Sequence, residues 1–373
     1  MNTTINLDNI ENKIKKNINN ILFSKLKKNI DELGSLKMLQ TKKNFISISI
    51  TLSPHIIYFY KVILEDVQST LSEYKNEIDF NLSLKIKVLP MSTKGILQKK
   101  NCFNIKNIIL IASGKGGVGK STVSSSLSFN LSRLGNSVGL LDADIYGPSV
   151  PTIWNIDSSE TIKAVSYNKK QILVPIEKYN VKLMSIGFFA KKNDAMILRG
   201  PMITSTINQM ITEVLWGELD YLIIDLPPGT GDIQISLMQQ FPVSASVIVT
   251  TMQNICFADV LRAKNMLEKM DIPILGCVTN MSYFHCERCD HNYPIFMNSE
   301  GKFLLESLNL EILTSIPLDI SVGNSIDSGH IHNFSKDSVI NNKFLDLAYK
   351  ISIKISKISE ISQKILENQL PTI

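Results

Sequence analysis

The chain has 373 residues, of which 44% are hydrophobic and 20% are charged, and its formal net charge is +5. Such a length is typical of two or three domains, and the apolar share is high enough for packed cores, which excludes general disorder. The apolar runs are much shorter than the ~18 residues of a membrane span, and the start of the chain shows no apolar signal-peptide core. We therefore expect a cytoplasmic protein that does not attach to membranes.

The positive charge is concentrated in the N-terminal part of the chain. The first 100 residues contain 16 lysines and nine acidic residues. Aromatic side chains are not interleaved with these lysines in the way that stacks nucleic-acid bases. We interpret the basic segment as a solvated surface and expect no binding to nucleic acid.

Residues 1–95 predict a small α+β domain. Apolar residues follow helical spacing at 10–22 and 60–74, and they alternate with polar residues at 45–52 and 80–88, as in half-buried strands. Residues 96–106 lack a clear period and are expected to form a linker.

The pattern changes in residues 107–340, where short apolar runs alternate with longer helical stretches. The runs are continuous, which is typical of a parallel sheet buried on both faces. We therefore predict an α/β fold with a mostly parallel sheet between layers of helices. Residues 341–373 predict a C-terminal helix, although part of this segment also alternates with a period of two. The apolar runs cover residues 108–112, 138–141, 181–186, 221–224, 245–250 and 274–278.

A phosphate-binding loop is the strongest motif of the chain. Residues 114–121 have the P-loop spacing of a glycine, four residues, and then Gly-Lys-Ser, and they lie between a predicted strand and a predicted helix. In such a loop, backbone N–H groups and the helix N-terminus bind phosphate oxygens. The expected nucleotide-binding residues are Gly114, Lys115, Gly116, Gly117, Val118, Gly119, Lys120, Ser121 and Thr122.

A second lysine, Lys115, follows the first glycine of the loop. This feature resembles the deviant Walker A motif of the MinD/ParA-type ATPases. The resemblance implies that Lys115 acts across a dimer interface, on the nucleotide of the other subunit.

Carboxylates follow two further apolar runs. Asp225 ends the run 221–224 and precedes a loop rich in glycine and proline, and Asp142 and Asp144 end the run 138–141. Acids in these places can support Mg²⁺ and orient the attacking water in phosphoryl transfer.

Adenine is the expected base of the nucleotide. The Asn-Lys-x-Asp motif that reads guanine is absent from the predicted strand ends. Asn280 follows the run 274–278 and is placed to contact a purine edge. The sequence therefore predicts ATP as the nucleotide.

The pair Cys286 and Cys289 forms a C-x2-C loop. One pair supplies half of a four-thiolate site, and a two-fold homodimer would supply the other half. The spacing alone leaves open an iron–sulfur cluster, a redox dithiol and a zinc site, which His285 or His291 could complete within one chain.

Taken together, these motifs resemble those of the Mrp/ApbC family of P-loop ATPases, the iron–sulfur cluster carrier proteins. The resemblance covers about residues 103–335. It is carried by the P-loop, by the cysteine pair, and by segments that begin at Asp142, Arg199, Asp225, Asn280, Ile316 and Asp327. Residues 1–95 contain no cysteine and resemble only weakly the small N-terminal domain of bacterial members, which is associated with iron–sulfur assembly. A second departure is Met252, where the family usually has proline.

The resemblance implies a homodimer with a 4Fe–4S cluster that bridges Cys286 and Cys289 of both subunits. It also implies ATP hydrolysis and delivery of the cluster from a scaffold to apo iron–sulfur proteins. The implied roles are phosphate and Mg²⁺ binding for Lys120, Ser121 and Thr122, action in trans for Lys115, water positioning for Asp144 and metal support for Asp225.

Two alternatives use the same ATPase core. A MinD/ParA-like positioning ATPase would need a basic amphipathic C-terminal helix, whereas residues 341–373 hold five lysines and three acids. That class does not require Cys286 and Cys289. A zinc-bridged regulatory ATPase dimer would keep both cysteines and differ in its metal.

Overall fold

The strands and helices of the chain divide into two units. One unit contains residues 1–88 and 134–136, and the other contains residues 89–133 and 137–373. The computed structural model describes residues 7–21, 29–30, 34–42, 45–52, 60–74, 79–86, 105–157, 160, 162–167, 170–189, 200–286, 288–296, 307–333 and 339–367.

The first unit contains a three-stranded sheet and two helices. Its elements are α1 (Leu7–Asn19), β1 (Gly34–Lys42), β2 (Phe45–Leu52), α2 (Tyr60–Ser72) and β3 (Asp79–Ile86). Strand β2 pairs antiparallel with β1 and parallel with β3. Ile46, Ile48, Ile50 and Leu52 are buried, so the alternation along β2 correctly predicted a strand with one face in a core. Strand β1 was not predicted, because apolar and polar residues do not alternate along its sequence.

Most strands of the second unit belong to one sheet. The strands of this unit are β4 (Ile105–Ala112), β5 (Val138–Asp142), β6 (Lys163–Tyr167), β7 (Lys170–Val174), β8 (Ile176–Lys178), β9 (Val181–Ser185), β10 (Leu219–Asp225), β11 (Ala245–Thr250), β12 (Ile274–Thr279), β13 (Tyr283–Cys286), β14 (His291–Pro294) and β15 (Ile312–Ser315). The sheet has the order β15-β12-β11-β4-β10-β5-β9-β8, and its neighbours are parallel except for β8 and β9. The pairs β6–β7 and β13–β14 form antiparallel hairpins.

Helices flank this sheet. They are α3 (Lys120–Arg133), α4 (Val150–Ile153), α5 (Gly200–Thr212), α6 (Asp232–Gln240), α7 (Asn254–Lys269), α8 (Ile320–Asp327) and α9 (Val339–Glu367). Every residue of β5 and β11 is buried, which explains why their apolar residues form runs and do not alternate with exposed polar residues. The predicted α/β fold is confirmed. In the described ranges, no helix is long and apolar enough to cross a membrane.

The C-terminal segment is helical despite its local period of two. Ile351, Ser352, Ile355 and Ser356 are buried on one side of α9, which is the spacing of a helix. The Ser356 hydroxyl donates a hydrogen bond to the Ser352 carbonyl, 2.9 Å away. This bond satisfies the Ser356 hydroxyl within the helix, and so Ser356 can face the interior beside isoleucine.

Neighbouring strands bring the candidate residues together. Strand β10 lies between β4 and β5, and Asp225 is in register with Ile111 and with Asp142. The carboxyl ends of these three parallel strands therefore meet at one edge of the sheet, where ligands bind in open α/β folds. Of the predicted linker, residues 96–104 lie outside the described residues, and residues 105 and 106 begin β4.

Candidate functional site

The predicted phosphate-binding loop joins buried strand β4 to helix α3. Gly117 and Gly119 have φ angles of 77° and 81°, in the left-handed region that favours glycine. A Cβ atom on Gly119 would collide with the side-chain amide of Asn280, and one on Gly114 would collide with the backbone of Asp259. These glycines allow the loop to turn tightly against its neighbours, with the N-terminus of α3 at its end.

The loop forms one wall of a cavity of about 680 Å³, a volume suited to a small molecule. The segment from Asp144 to Ile153 and the end of α8 contribute other walls. Tyr146, Ile326 and Asp327 also line this cavity, although the sequence assigned them no individual role. The predicted residues that line it are Lys115, Gly116, Gly117, Gly119, Lys120, Ser121, Thr122 and Asp144.

Lys120 is enclosed by carboxylates at the beginning of α3. Its side chain is 6% exposed, and Nζ lies 2.8 Å from Oδ1 of Asp225 and 3.5 Å from Oδ2 of Asp144. Burial by itself lowers the pKa of Lys120, but the charges of Asp225 and Asp144 outweigh it and raise the pKa above its ordinary value. Lys120 is therefore a buried cation, which an anionic ligand can attract away from Asp225.

A hydroxyl and a carboxylate lie side by side next to this lysine. The Ser121 Oγ atom donates a hydrogen bond to Oδ2 of Asp225, 2.5 Å away, and Asp225 is fully buried. Both oxygens are hard ligands of the kind that Mg²⁺ takes in nucleotide sites. The residues present therefore fit a magnesium ion.

Asp144 keeps one acceptor atom without a partner. Within the described part of the chain, its Oδ1 atom is buried and receives no hydrogen bond. Burial raises the pKa of Asp144, and the Lys120 charge opposes that rise. Asp144 itself lines the cavity. Because buried acceptors are nearly always satisfied, its carboxylate is suited to accept a hydrogen bond from a water or a ligand there.

Asp142 holds the segment that carries Asp144. Its Oδ1 atom accepts a hydrogen bond from the Asp144 N–H (3.1 Å), and its Oδ2 atom accepts from the Val150 N–H (3.2 Å) and the Ser185 hydroxyl (2.9 Å). Burial and the nearby charge of Asp225 raise the pKa of Asp142 to about 7. The paired acids are evident in the sequence, but this role of Asp142 is not, because the three donors are distant in sequence or belong to the backbone.

The loop after Asp225 is tied to the P-loop. The Gly229 N–H donates a hydrogen bond to the Ser113 carbonyl, 2.8 Å away. The buried side chain of Gln234 donates to the carbonyl oxygens of Pro227 (2.9 Å) and Gly229 (3.3 Å). The sequence gives no signal for Gln234, which reads as an ordinary polar residue of α6. Its contacts fix the shape of this loop.

Asn280 connects the P-loop to the end of β12. Its Nδ2 atom donates a hydrogen bond to the Val118 carbonyl, 3.0 Å away, and its backbone N–H donates to Thr250. Asn280 thus braces the loop from behind. The predicted contact with a purine edge stays a prediction.

The cysteine pair lies on the hairpin that follows Asn280. Cys286 ends β13 opposite His291, and Cys289 lies in the turn. Cys289 is exposed and Cys286 is half-buried, and both are free thiols. Hydrogen bonds from Tyr293 and from Cys286 lower the pKa of Cys289. Two adjacent, accessible thiols therefore fit one side of a metal or cluster site.

The other cysteines lie elsewhere. Cys256 and Cys277 are buried, and burial raises the pKa of Cys277 to about 12, while Cys102 lies outside the described residues. The His285 ring is hydrogen-bonded to Oδ1 of Asn292, 2.9 Å away. Among the described residues, no group of three or more His, Cys, Asp or Glu side chains is arranged to hold a metal ion.

Lys115 is exposed and lines two cavities. One is the large cavity described above, and the other, of about 260 Å³, lies between the P-loop and residues Met281 and Phe296. These two residues flank the cysteine hairpin. The outer surface of the P-loop and the base of the hairpin therefore share a cavity wall.

Comparison with known proteins identifies the family. A family model described as "ParA: NUBPL iron-transfer P-loop NTPase" matches residues 104–352. A relative from Helicobacter pylori, named "Iron-sulfur cluster carrier protein", is 34% identical over 350 residues, which cover 94% of this chain and 93% of that protein. The chain belongs to the NUBPL iron-transfer P-loop NTPase family. The predicted family resemblance and the predicted ATPase class are thereby confirmed.

Solved structures support this fold. A nucleotide-binding protein from Archaeoglobus fulgidus in complex with ADP is 34% identical, with a TM-score of 0.55, over 65% of this chain and 93% of that one. The septum site-determining protein MinD from Pyrococcus horikoshii, complexed with Mg-ADP, is 22% identical with a TM-score of 0.50, over 69% of this chain and 98% of that one. The second similarity shows the fold alone.

Proposed function

We propose that this chain is an ATP-hydrolysing carrier that binds a 4Fe–4S cluster as cargo and transfers it to apo iron–sulfur proteins. The observation that carries the proposal is the placement of Cys286 and Cys289 on a hairpin that begins just after Asn280, the residue that braces the P-loop. The names of the relatives agree with this function. A positioning ATPase would have no use for the two accessible thiols.

The cargo site would be shared by two subunits. Each chain offers Cys286 and Cys289, whereas a 4Fe–4S cluster takes four thiolates. A two-fold axis through the cluster brings the same pair from a second copy, so we propose a homodimer. We further propose that a cluster scaffold is the donor. The predicted cytoplasmic location remains a prediction.

The nucleotide site would act through charged residues that are already in place. The phosphates of ATP would draw Lys120 from its ion pair with Asp225. Ser121 and Asp225 would then hold Mg²⁺, which neutralises phosphate charge when bound. The carboxylate of Asp144 would accept a hydrogen bond from the water that attacks the γ-phosphorus, and ADP would leave as the bond between the γ-phosphorus and the β–γ bridging oxygen breaks. Lys115 of the second subunit would add positive charge at the same phosphates.

Two connections would relate this chemistry to the cargo. Asn280 joins Val118 to the strand end that leads into the hairpin, and Gly229 joins the loop after Asp225 to Ser113. A change at the γ-phosphate would move these loops and so alter how the thiols are presented. This coupling is what distinguishes a carrier from a static metal protein.

Metal and sulfide analysis of anaerobically purified protein tests the cargo. We expect about two iron and two sulfide ions per chain, since one 4Fe–4S cluster would be shared by two chains. Replacement of Cys286 by alanine should abolish both. Cys256→Ala is the matched control, because it removes a buried thiol outside the hairpin. Zinc at about half an atom per chain without sulfide would overturn the carrier proposal in favour of a zinc-bridged dimer.

A further inference from the structure

The cysteine hairpin presents an aromatic face. In the register of the hairpin, Phe284 is opposite Tyr293 and Cys286 is opposite His291, and side chains two residues apart lie on the same face. These four residues therefore share one face, and the alternate residues, including Tyr283, lie on the other. Tyr293 is 49% exposed, so its ring lies at the surface near the thiols.

Tyr293 contacts a cysteine of the pair directly. Its hydroxyl oxygen lies 3.7 Å from Sγ of Cys289, within the range of a hydrogen bond to sulfur. The ring is held by His291, whose ring centroid is 4.6 Å away in an edge-to-face arrangement. The hydroxyl is therefore positioned by a neighbour on the same strand.

The chemistry of the two groups fixes the direction of this hydrogen bond once the sulfur is a ligand. A thiolate has no proton to donate, whereas a phenol has one. The Tyr293 O–H would therefore donate to Cys289. Hydrogen bonds to ligand sulfurs stabilise the more negative, reduced form of a cluster and so raise its reduction potential.

We infer that Tyr293 is a positioning residue for the cargo, acting through a hydrogen bond from its hydroxyl to the sulfur of Cys289. This inference rests on the proposed function. The hydrogen bond from Tyr293 would raise the reduction potential of the cluster and slow its release from Cys289. Substitution of a residue that hydrogen-bonds to a metal ligand commonly changes metal affinity by 10- to 100-fold.

The test compares two variants of the hairpin, each of which lacks the hydroxyl of one tyrosine. Tyr293→Phe removes the proposed hydrogen bond, and Tyr283→Phe removes a hydroxyl from the opposite face. The measurements are the iron and sulfide content, the reduction potential, and the rate of cluster loss to an iron chelator. Nucleotide binding by each variant checks that the ATPase unit is folded.

We expect all three proteins to load fully. Tyr293→Phe should show a lower reduction potential and cluster loss that is about tenfold faster, and Tyr283→Phe should match the unsubstituted protein. Equal potentials and equal loss rates in all three loaded proteins would overturn the role of Tyr293 and leave the carrier proposal standing. Equal changes in both variants would also overturn it. Failure of the unsubstituted protein to load a cluster would instead overturn the proposed function, and this inference with it.

Discussion

Asn280 donates a hydrogen bond from Nδ2 to the Val118 carbonyl, 3.0 Å away, and six residues later the chain reaches Cys286. The amide also fills the space in which a side chain on Gly119 would lie. The side chain of Asn280 therefore contacts the phosphate-binding loop, and its backbone is the start of the segment that leads to the cysteine pair. This relationship gives the nucleotide and the cargo a short physical connection.

Substitution of Asn280 by alanine should weaken ATP binding and cluster transfer together. Loss of this hydrogen bond, of about 1 kcal/mol, should raise KM for ATP about fivefold and slow ATP-dependent transfer. Steady-state hydrolysis and transfer to an apo-protein are the measurements. Asn208→Ala is the control, because Asn208 also makes one side-chain hydrogen bond, to Gln240, away from both sites. Transfer that keeps its full response to ATP in Asn280→Ala would contradict the connection.

Substitution of Lys120 by alanine should destabilise the nucleotide-free protein as well as abolish ATP binding. It leaves the fully buried Asp225 carboxylate without its cation, and breaking a buried ion pair costs about 3 kcal/mol. Urea unfolding measures this loss. Lys115→Ala, at an exposed position of the same loop, should change the free energy of unfolding by less than about 0.5 kcal/mol. Equal stabilities of the two variants would show that the ion pair contributes nothing.

Action of Lys115 in trans predicts complementation between two inactive variants. Lys115→Ala keeps its own nucleotide site, and Lys120→Ala keeps a Lys115 that it can offer to another subunit. After the two variants are mixed and allowed to exchange subunits, we expect ATP hydrolysis that neither shows alone. The fraction of mixed dimers is measured in parallel. Mixed dimers without activity would refute the assignment.

Asp142 should make folding stability depend on pH. Its pKa in the folded protein is raised from 3.8 to about 7, so the folded state binds the proton more tightly than the unfolded state does. Its contribution to stability is therefore fully present below pH 4 and is lost as the pH rises through about 7.

The variant Asp142→Asn isolates this term in nucleotide-free protein. The free energy of unfolding of the unsubstituted protein, measured relative to the variant, should fall between about pH 4 and pH 7 and then level off. Asp259→Asn, at a carboxylate on α7 that is 23% exposed, is the control for the loss of one carboxylate outside the site. Parallel curves for the unsubstituted protein and Asp142→Asn would contradict the raised pKa.

The fold of the ATPase unit was predictable because its strands carry a strong local signal. Strand β11 was predicted with its observed bounds. Strands β5, β10 and β12 were predicted within two residues at either end, and β4 was predicted to begin three residues too late. The hairpins β6–β7 and β13–β14 were not predicted. Strand β14 is fully exposed, so no apolar pattern marks it, and its pairing with β13 decides its conformation.

The parts of the site that belong to one short sequence motif were predictable. The lysine and serine of the P-loop follow from spacing, and the acids follow from strands that end in carboxylates. The hydrogen bond between Asp142 and Ser185 depends on two segments that only the fold brings together. The hydrogen bond from Gln234 to Pro227 depends on how the loop after Asp225 folds back on α6. The role of Tyr293 could be inferred only from the structure, in which its hydroxyl lies 3.7 Å from Sγ of Cys289.

The short strands of the cysteine hairpin imply that the hairpin is more ordered when cargo is bound than when it is absent. Its two strands have four residues each, and a two-stranded hairpin is only marginally stable by itself. A cargo that binds the ordered hairpin and not the opened one must stabilise it by mass action. Amide hydrogens of β13 and β14 should therefore exchange with solvent more slowly in the loaded protein than in the empty one. A recipient protein would then bind an ordered hairpin before transfer, and the hairpin would become less ordered once the cargo has left.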